Sequence, residues 1–103
     1  MKLLRAIIVL LALASTCAFA QGKYPESPIK LIVPYTPGGA TDVLSRLMAD
    51  RITANNKGWV FVVDNRPGGG GNIGLDAVAK AKPDGYTIGM GQTSNLAIYP
   101  ALY

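Results

Sequence analysis

Apolar and polar positions along this chain follow two distinct periods. Ile29-Lys30-Leu31-Ile32-Val33 is a short run of mostly branched side chains bracketed by Pro28 and Pro34, and it predicts a buried strand. From Thr41 the period lengthens: Val43, Leu44, Leu47, Met48 and Ile52 fall on one helical stripe, with Asp42, Arg46, Asp50 and Arg51 elsewhere, as in a helix that buries one side. Asn55-Asn56-Lys57-Gly58 then ends the helix, Asn or Gly being able to take a left-handed terminal position. Trp59-Val60-Phe61-Val62-Val63 is nearly continuous in apolar residues, like a parallel strand covered on both faces, with Trp59 in the core. A glycine-rich loop from Asp64 to Gly74, a short helix over Ile73 to Ala81, the turn Lys82-Pro83-Asp84-Gly85 and a third strand over Tyr86 to Met90 follow. Leu96 to Tyr103 is too short to assign.

The order is βαβαβ, which right-handed crossovers convert into an α/β unit with a parallel three-stranded sheet and helices packed on it. Ligands of such sheets bind beyond the carboxyl ends of the strands. The segments that reach that end are Tyr35 to Asp42, Asn65 to Ile73 and Gly91 to Asn95.

The first 20 residues have a different pattern: a basic start with Lys2 and Arg5, an uncharged apolar run from Ala6 to Ala14, and a small-residue end. They predict a signal peptide, cut after Ala18-Phe19-Ala20. A membrane anchor is the alternative, but the charge-free stretch from Ala6 to Gly22 is 17 residues, short of the roughly 20 a spanning helix needs. Cys17 raises lipidation as another alternative, against which stand the bulk of Thr16 and an Ala at position 14. Export with cleavage places the product in the periplasm, with residues 21–103 forming one domain at most. At 83 residues the core is small, since chains of this size bury only about 60 to 65% of their unfolded surface.

Composition removes several chemistries. The 103 residues contain no His and a single Cys. A Ser-His-Asp or Cys-His nucleophile pair, a histidine zinc site and an intrachain disulfide are therefore excluded. Glu26, Asp42, Asp50, Asp64, Asp76 and Asp84 are the only acids, and none is placed as a paired general acid and base, so an enzyme is not expected. The formal charge of +4 falls to +2 once Lys2 and Arg5 are removed, with eight basic residues against six acidic. With no Lys/Arg cluster, no nucleic-acid surface is expected.

The loops carry the candidate chemistry. Pro37-Gly38-Gly39-Ala40-Thr41-Asp42 puts two glycines ahead of a helix start, where backbone N–H groups approach a ligand closely and offer unpaired donors. An anion such as a carboxylate is the natural guest. Thr41 and Asp42 also suit helix capping, and Asp42 can serve loop bracing, site polarity or both. Gly69-x-Gly71-x-x-Gly74 formally matches a dinucleotide fingerprint, but it follows the second strand and lacks the later acid that holds a ribose. Arg66 is either a carboxylate clamp or, preferably, a partner that rigidifies its own loop. Thr93, Ser94 and Asn95 can orient a polar ligand, and Tyr35 can wall the site or pack on the sheet.

Three stretches carry a family resemblance: YPESPIKLIVPYTPGGATD, VVDNRPGGGGNIG and AKAKPDGYTIGMG. In this order, behind a signal peptide, they closely resemble the extracytoplasmic solute receptors of the tripartite tricarboxylate transporter system, also called Bug receptors, over Tyr24 to Tyr103. The resemblance implies a periplasmic binding protein of two α/β lobes that closes on a small carboxylated solute and passes it to membrane permease subunits. It implies a monomer without cofactor or metal. The ligand-binding residues it implies here are Tyr35, Thr36, Gly38, Gly39, Ala40, Thr41 and Asp42, gripping a carboxylate through main-chain groups and waters, with the loop Gln92 to Asn95, and in it Thr93, Ser94 and Asn95, lining the cleft. Two local departures are Thr36, where a second proline is common, and Gly58-Trp59-Val60 in place of Gly-x-Pro. Family members are far longer, so the expectation is a fragment holding the first part of lobe one. A nonfunctional truncated remnant and, less favoured, a nucleotide-binding α/β enzyme fragment are the alternatives.

Overall fold

The computed structural model describes residues 22–102 together with Met1, Leu3 and Arg5. The signal-peptide cleavage site and Cys17 lie outside the described residues. The elements are β1 (Ile29–Val33), α1 (Ala40–Asn55), β2 (Phe61–Asn65), a 3-10 turn (Gly69–Gly71), α2 (Asn72–Ala79), β3 (Thr87–Gly89), a wide helical turn (Ser94–Ile98) and α3 (Tyr99–Leu102). All strand pairs are parallel, in the order β2-β1-β3. The chain is thus the expected α/β unit, and Leu96 to Leu102, left unassigned from sequence, is helical.

β1 is central because it is the most apolar strand and is bonded on both edges. Ile29 lies opposite Phe61, and Leu31 lies between Val63 and Ile88. Ile29, Leu31, Ile32 and Val33 are all buried. That register moves β2 two residues beyond the predicted run. Trp59 and Val60 precede the ladder, and Asp64 and Asn65 complete it opposite Ile32 and Val33. Val62 is half exposed, so β2 is an edge strand and not one covered on both faces. Trp59 is half-buried and packs outside the core with Tyr24 (ring centroids 5.7 Å apart) and Phe61 (6.4 Å). Tyr24 also packs on Tyr86 at 5.1 Å, and the Glu26 amide donates to the Tyr86 hydroxyl at 2.8 Å. These contacts fasten the extended lead-in to the segment entering β3, away from the loops that follow the strands.

α1 covers one sheet face, where Ala49 packs with Leu31, Val33, Phe61 and Val63. α2 covers the other: Gly89 lies opposite Ile32 in the ladder, and a Cβ on Gly89 would come within 2.6 Å of Val78. The orientation of α1 departs from the predicted stripe. Its buried residues are Asp42, Ser45 and Ala49, whereas Val43, Leu44, Leu47 and Met48 are 57%, 54%, 52% and 44% exposed. Small side chains let the helix lie close to the sheet, and the large apolar ones turn outward. Only Ile52 of the stripe is half-buried. At the end of α1 it is Gly58, in the turn after the helix, that takes the left-handed conformation (φ +86°), while Asn56 is extended (φ −132°, ψ 102°). The Asn55 and Asn56 side-chain amides instead donate to the Arg51 and Ile52 carbonyls at 2.8 and 2.9 Å, satisfying acceptors of the last turn.

Candidate functional site

The strand order places a topological switch at β1. The chain leaves β1 through α1 toward β2 and returns through α2 on the opposite face to β3, so the segments after β1 and β3 diverge. A crevice at such a point is the usual ligand position in open parallel sheets. Here Tyr35 to Gly39 and Met90 to Thr93 are the segments that leave β1 and β3 at that point.

The first loop ends where α1 begins. Gly39 is the residue before the helix, with φ −73° and ψ 167°, and no side chain caps the helix start. The first-turn amides of Ala40, Thr41 and Asp42 have no intrahelical acceptor by construction. The Asp42 carboxylate, which could have capped them, turns back and accepts from the Gly38 amide at 2.9 Å. It also takes the Arg46 Nε at 3.1 and 3.0 Å and the Asn65 Nδ2 at 2.9 Å. Asn65 Nδ2 donates to the Tyr35 carbonyl at 3.1 Å, and Arg46 Nη2 donates to Asn65 Oδ1 at 3.1 Å. This brace ties the loop to the end of β2. The Gly38 amide first, then the Arg46 and Asn65 side chains, hold the Asp42 carboxyl down at about 2, so it is ionised throughout the neutral range. Of the two functions open to Asp42, the geometry shows loop bracing.

A second network joins the other loops. The Tyr35 hydroxyl donates to Asn95 Oδ1 at 2.8 Å. It lies 3.3 Å from the Gly70 carbonyl and 3.5 Å from Ser94 Oγ. Asn95, 6% exposed, donates through Nδ2 to the Gly70 carbonyl at 2.6 Å. The Gln92 side-chain amide bonds to the Thr41 hydroxyl, joining the segment after β3 to the start of α1. Thr36, Gly38, Ala40 and Thr93 are exposed, while Gly39, Thr41 and Ser94 are partly buried. The structure therefore brings all ten predicted residues to one end of the sheet, with Tyr35, Thr41, Asp42 and Asn95 bonded into the framework.

The glycine run has a packing explanation. Gly71 has φ +95°, and a Cβ there would lie 2.9 Å from both Asn95 Nδ2 and the Tyr35 hydroxyl. A Cβ on Gly74 would lie 2.7 Å from Pro34 Cβ and 2.9 Å from the Arg66 carbonyl, so α2 crosses the end of β1 at backbone distance. Arg66 pairs with Asp64 at 3.0 Å, as a loop-stiffening residue does. With Arg46 on Asp42 and Arg66 on Asp64, the positive character of this rim comes from backbone amides.

Comparison with known proteins bears on this geometry directly. Residues 44–103 match the model of the tripartite tricarboxylate transporter family receptor. The chain belongs to that family. BugT of Bordetella pertussis is 44% identical over 94 residues, 90% of this chain and 28% of BugT. A solved periplasmic transporter superposes with a TM-score of 0.72 at 43% identity, over 77% of this chain and 26% of that one. An R. palustris protein solved with adipate gives 0.66 at 44% identity, over 70% and 24%. This receptor-family chain thus spans less than a third of the length of those relatives. Arg46 and Asn65 lie outside the residues expected at the site, whereas Gln92, in the loop expected to line the cleft, reaches Thr41. For Asn65, the signal was a polar residue closing an apolar strand beside Arg66. Arg46 carried the i, i+4 spacing from Asp42 that favours pairing on a helix.

Proposed function

We propose that this chain forms the first wall of a periplasmic receptor for a small carboxylated solute, which the complete receptor delivers to the permease subunits of a tripartite tricarboxylate transporter. The carrying observation is the start of α1, left uncapped by any side chain at the β1/β3 switch. Amides at a helix start bind anions by hydrogen bonding and by the local field. The adipate in the R. palustris protein supports a dicarboxylate as the class of ligand. Gly38, Gly39, Ala40 and Thr41 present the main-chain donors, Thr36 and Thr93 add exposed hydroxyls, and Tyr35, Ser94 and Asn95 hold the opposite loop. The protein acts as a monomer, binds without catalysis and needs no cofactor. One wall supplies few of the contacts that bury a ligand, so the chain alone binds in the millimolar range.

Amide NMR of the chain during titration with adipate tests the reading. Saturable shifts centred on Ala40 and Thr41 are expected, and a titration that leaves both unmoved would refute it. Export is tested by intact mass of the periplasmic product, expected to begin at Gln21. A product retaining residues 1–20, or lipid on Cys17, would exclude the cleavage.

A further inference from the structure

We infer that Arg46 is a positioning residue for the carboxylate site: by neutralising Asp42 it keeps the start of α1 attractive to an anionic ligand. The inference rests on the proposed carboxylate site. Asp42 lies in the first turn of α1, so its negative charge occupies the same favourable field that a ligand carboxylate would use. Its side chain is only 4% exposed, and water screens it poorly. Its counter-charge must then come from the protein. Among the described residues the only cation paired with Asp42 is Arg46; the other two ion pairs are Arg66 with Asp64 and Lys80 with Asp76. Arg46 Nε reaches both Asp42 oxygens while Nη2 is held by Asn65 Oδ1, so the guanidinium is anchored on two residues. Arg46 itself is 49% exposed and has no other bonded partner among the described residues. Without it, a buried uncompensated carboxylate would repel the ligand across the same turn.

The inference predicts a pattern that a purely structural brace does not. In the chain titrated with adipate, and by calorimetry in a chimera where residues 22–102 replace the matching segment of the adipate-bound R. palustris protein, R46M weakens binding about tenfold. The deficit shrinks as salt is raised. R46K, which keeps the charge but loses the planar fork, regains most of the affinity, and so does the D42N/R46M pair. R46Q, which keeps an amide donor for Asp42 and Asn65 but not the charge, binds as weakly as R46M and decides the matter if R46M loses its fold. R46M or R46Q binding like the unaltered protein, or D42N/R46M as weak as R46M, would each overturn the inference. Absence of any adipate-induced shift in the unaltered protein would instead remove the carboxylate site on which it rests.

Discussion

Gly71→Ala tests the claim that the three loops are one packed unit. At φ +95° an alanine pays for a backbone conformation that L residues avoid, about 1 to 2 kcal/mol. Its Cβ would sit 2.9 Å from the Tyr35 hydroxyl and the Asn95 amide nitrogen and 3.0 Å from Tyr35 Cζ. Neither neighbour is a free flexible end, because the hydroxyl and the Asn95 side chain are bonded to each other and Asn95 to Gly70. Displacing them loosens at least one of those bonds, about 1 kcal/mol for a typical one. The expected loss is about 2 to 3 kcal/mol, a large share of the roughly 5 kcal/mol at the low end for small domains. Urea unfolding of the chain, followed through its single Trp and by circular dichroism, measures this loss. Gly39→Ala serves as the comparison, since Gly39 has an ordinary φ of −73° and a Cβ there would make a 3.5 Å contact. A Gly71→Ala midpoint equal to that of Gly39→Ala would refute the reasoning and mean that the loops move independently.

Gly38→Ala separates backbone from packing: φ is +83° and nothing lies within 4 Å of an added Cβ, so it costs about 1 kcal/mol from conformation alone, with adipate affinity reduced more than by Gly39→Ala. For Asp42, the folded value of about 2 lies below the ordinary 3.8, so its contribution is full above the ordinary value and is lost as pH falls from there through the folded value. The Gly38 amide shift should titrate near pH 2, a transition that D42N abolishes; a midpoint near the ordinary value would contradict the brace. Leu47→Lys, at a position 52% exposed, should change the unfolding free energy measured in urea by less than about 0.5 kcal/mol, whereas Val33→Ala, at a position with no exposure, should cost about 1 to 3 kcal/mol. Equal effects of the two would mean that α1 presents its predicted stripe to the sheet.

By itself the sequence determined the types and order of the elements from β1 to β3, because these depend on neighbours a few residues apart. The proline brackets of Ile29 to Val33 fixed β1, and the change of period after Thr41 marked α1. The gathering of Tyr35 to Asp42 and Thr93 to Asn95 at one end of the sheet follows from parallel topology alone. Tertiary structure decided what depends on distant partners. An apolar stripe records which side chains avoid water without saying what covers them, so Ser45 and Ala49 could take the sheet-facing side that Val43 and Leu47 were expected to hold. Pairing with Ile29, and not the apolar run itself, set where β2 begins. The bonds from Tyr35 to Asn95 and from Asp42 to Asn65 join residues 60 and 23 positions apart. No local period encodes such separations, because only the folded sheet brings those loop ends within hydrogen-bonding distance.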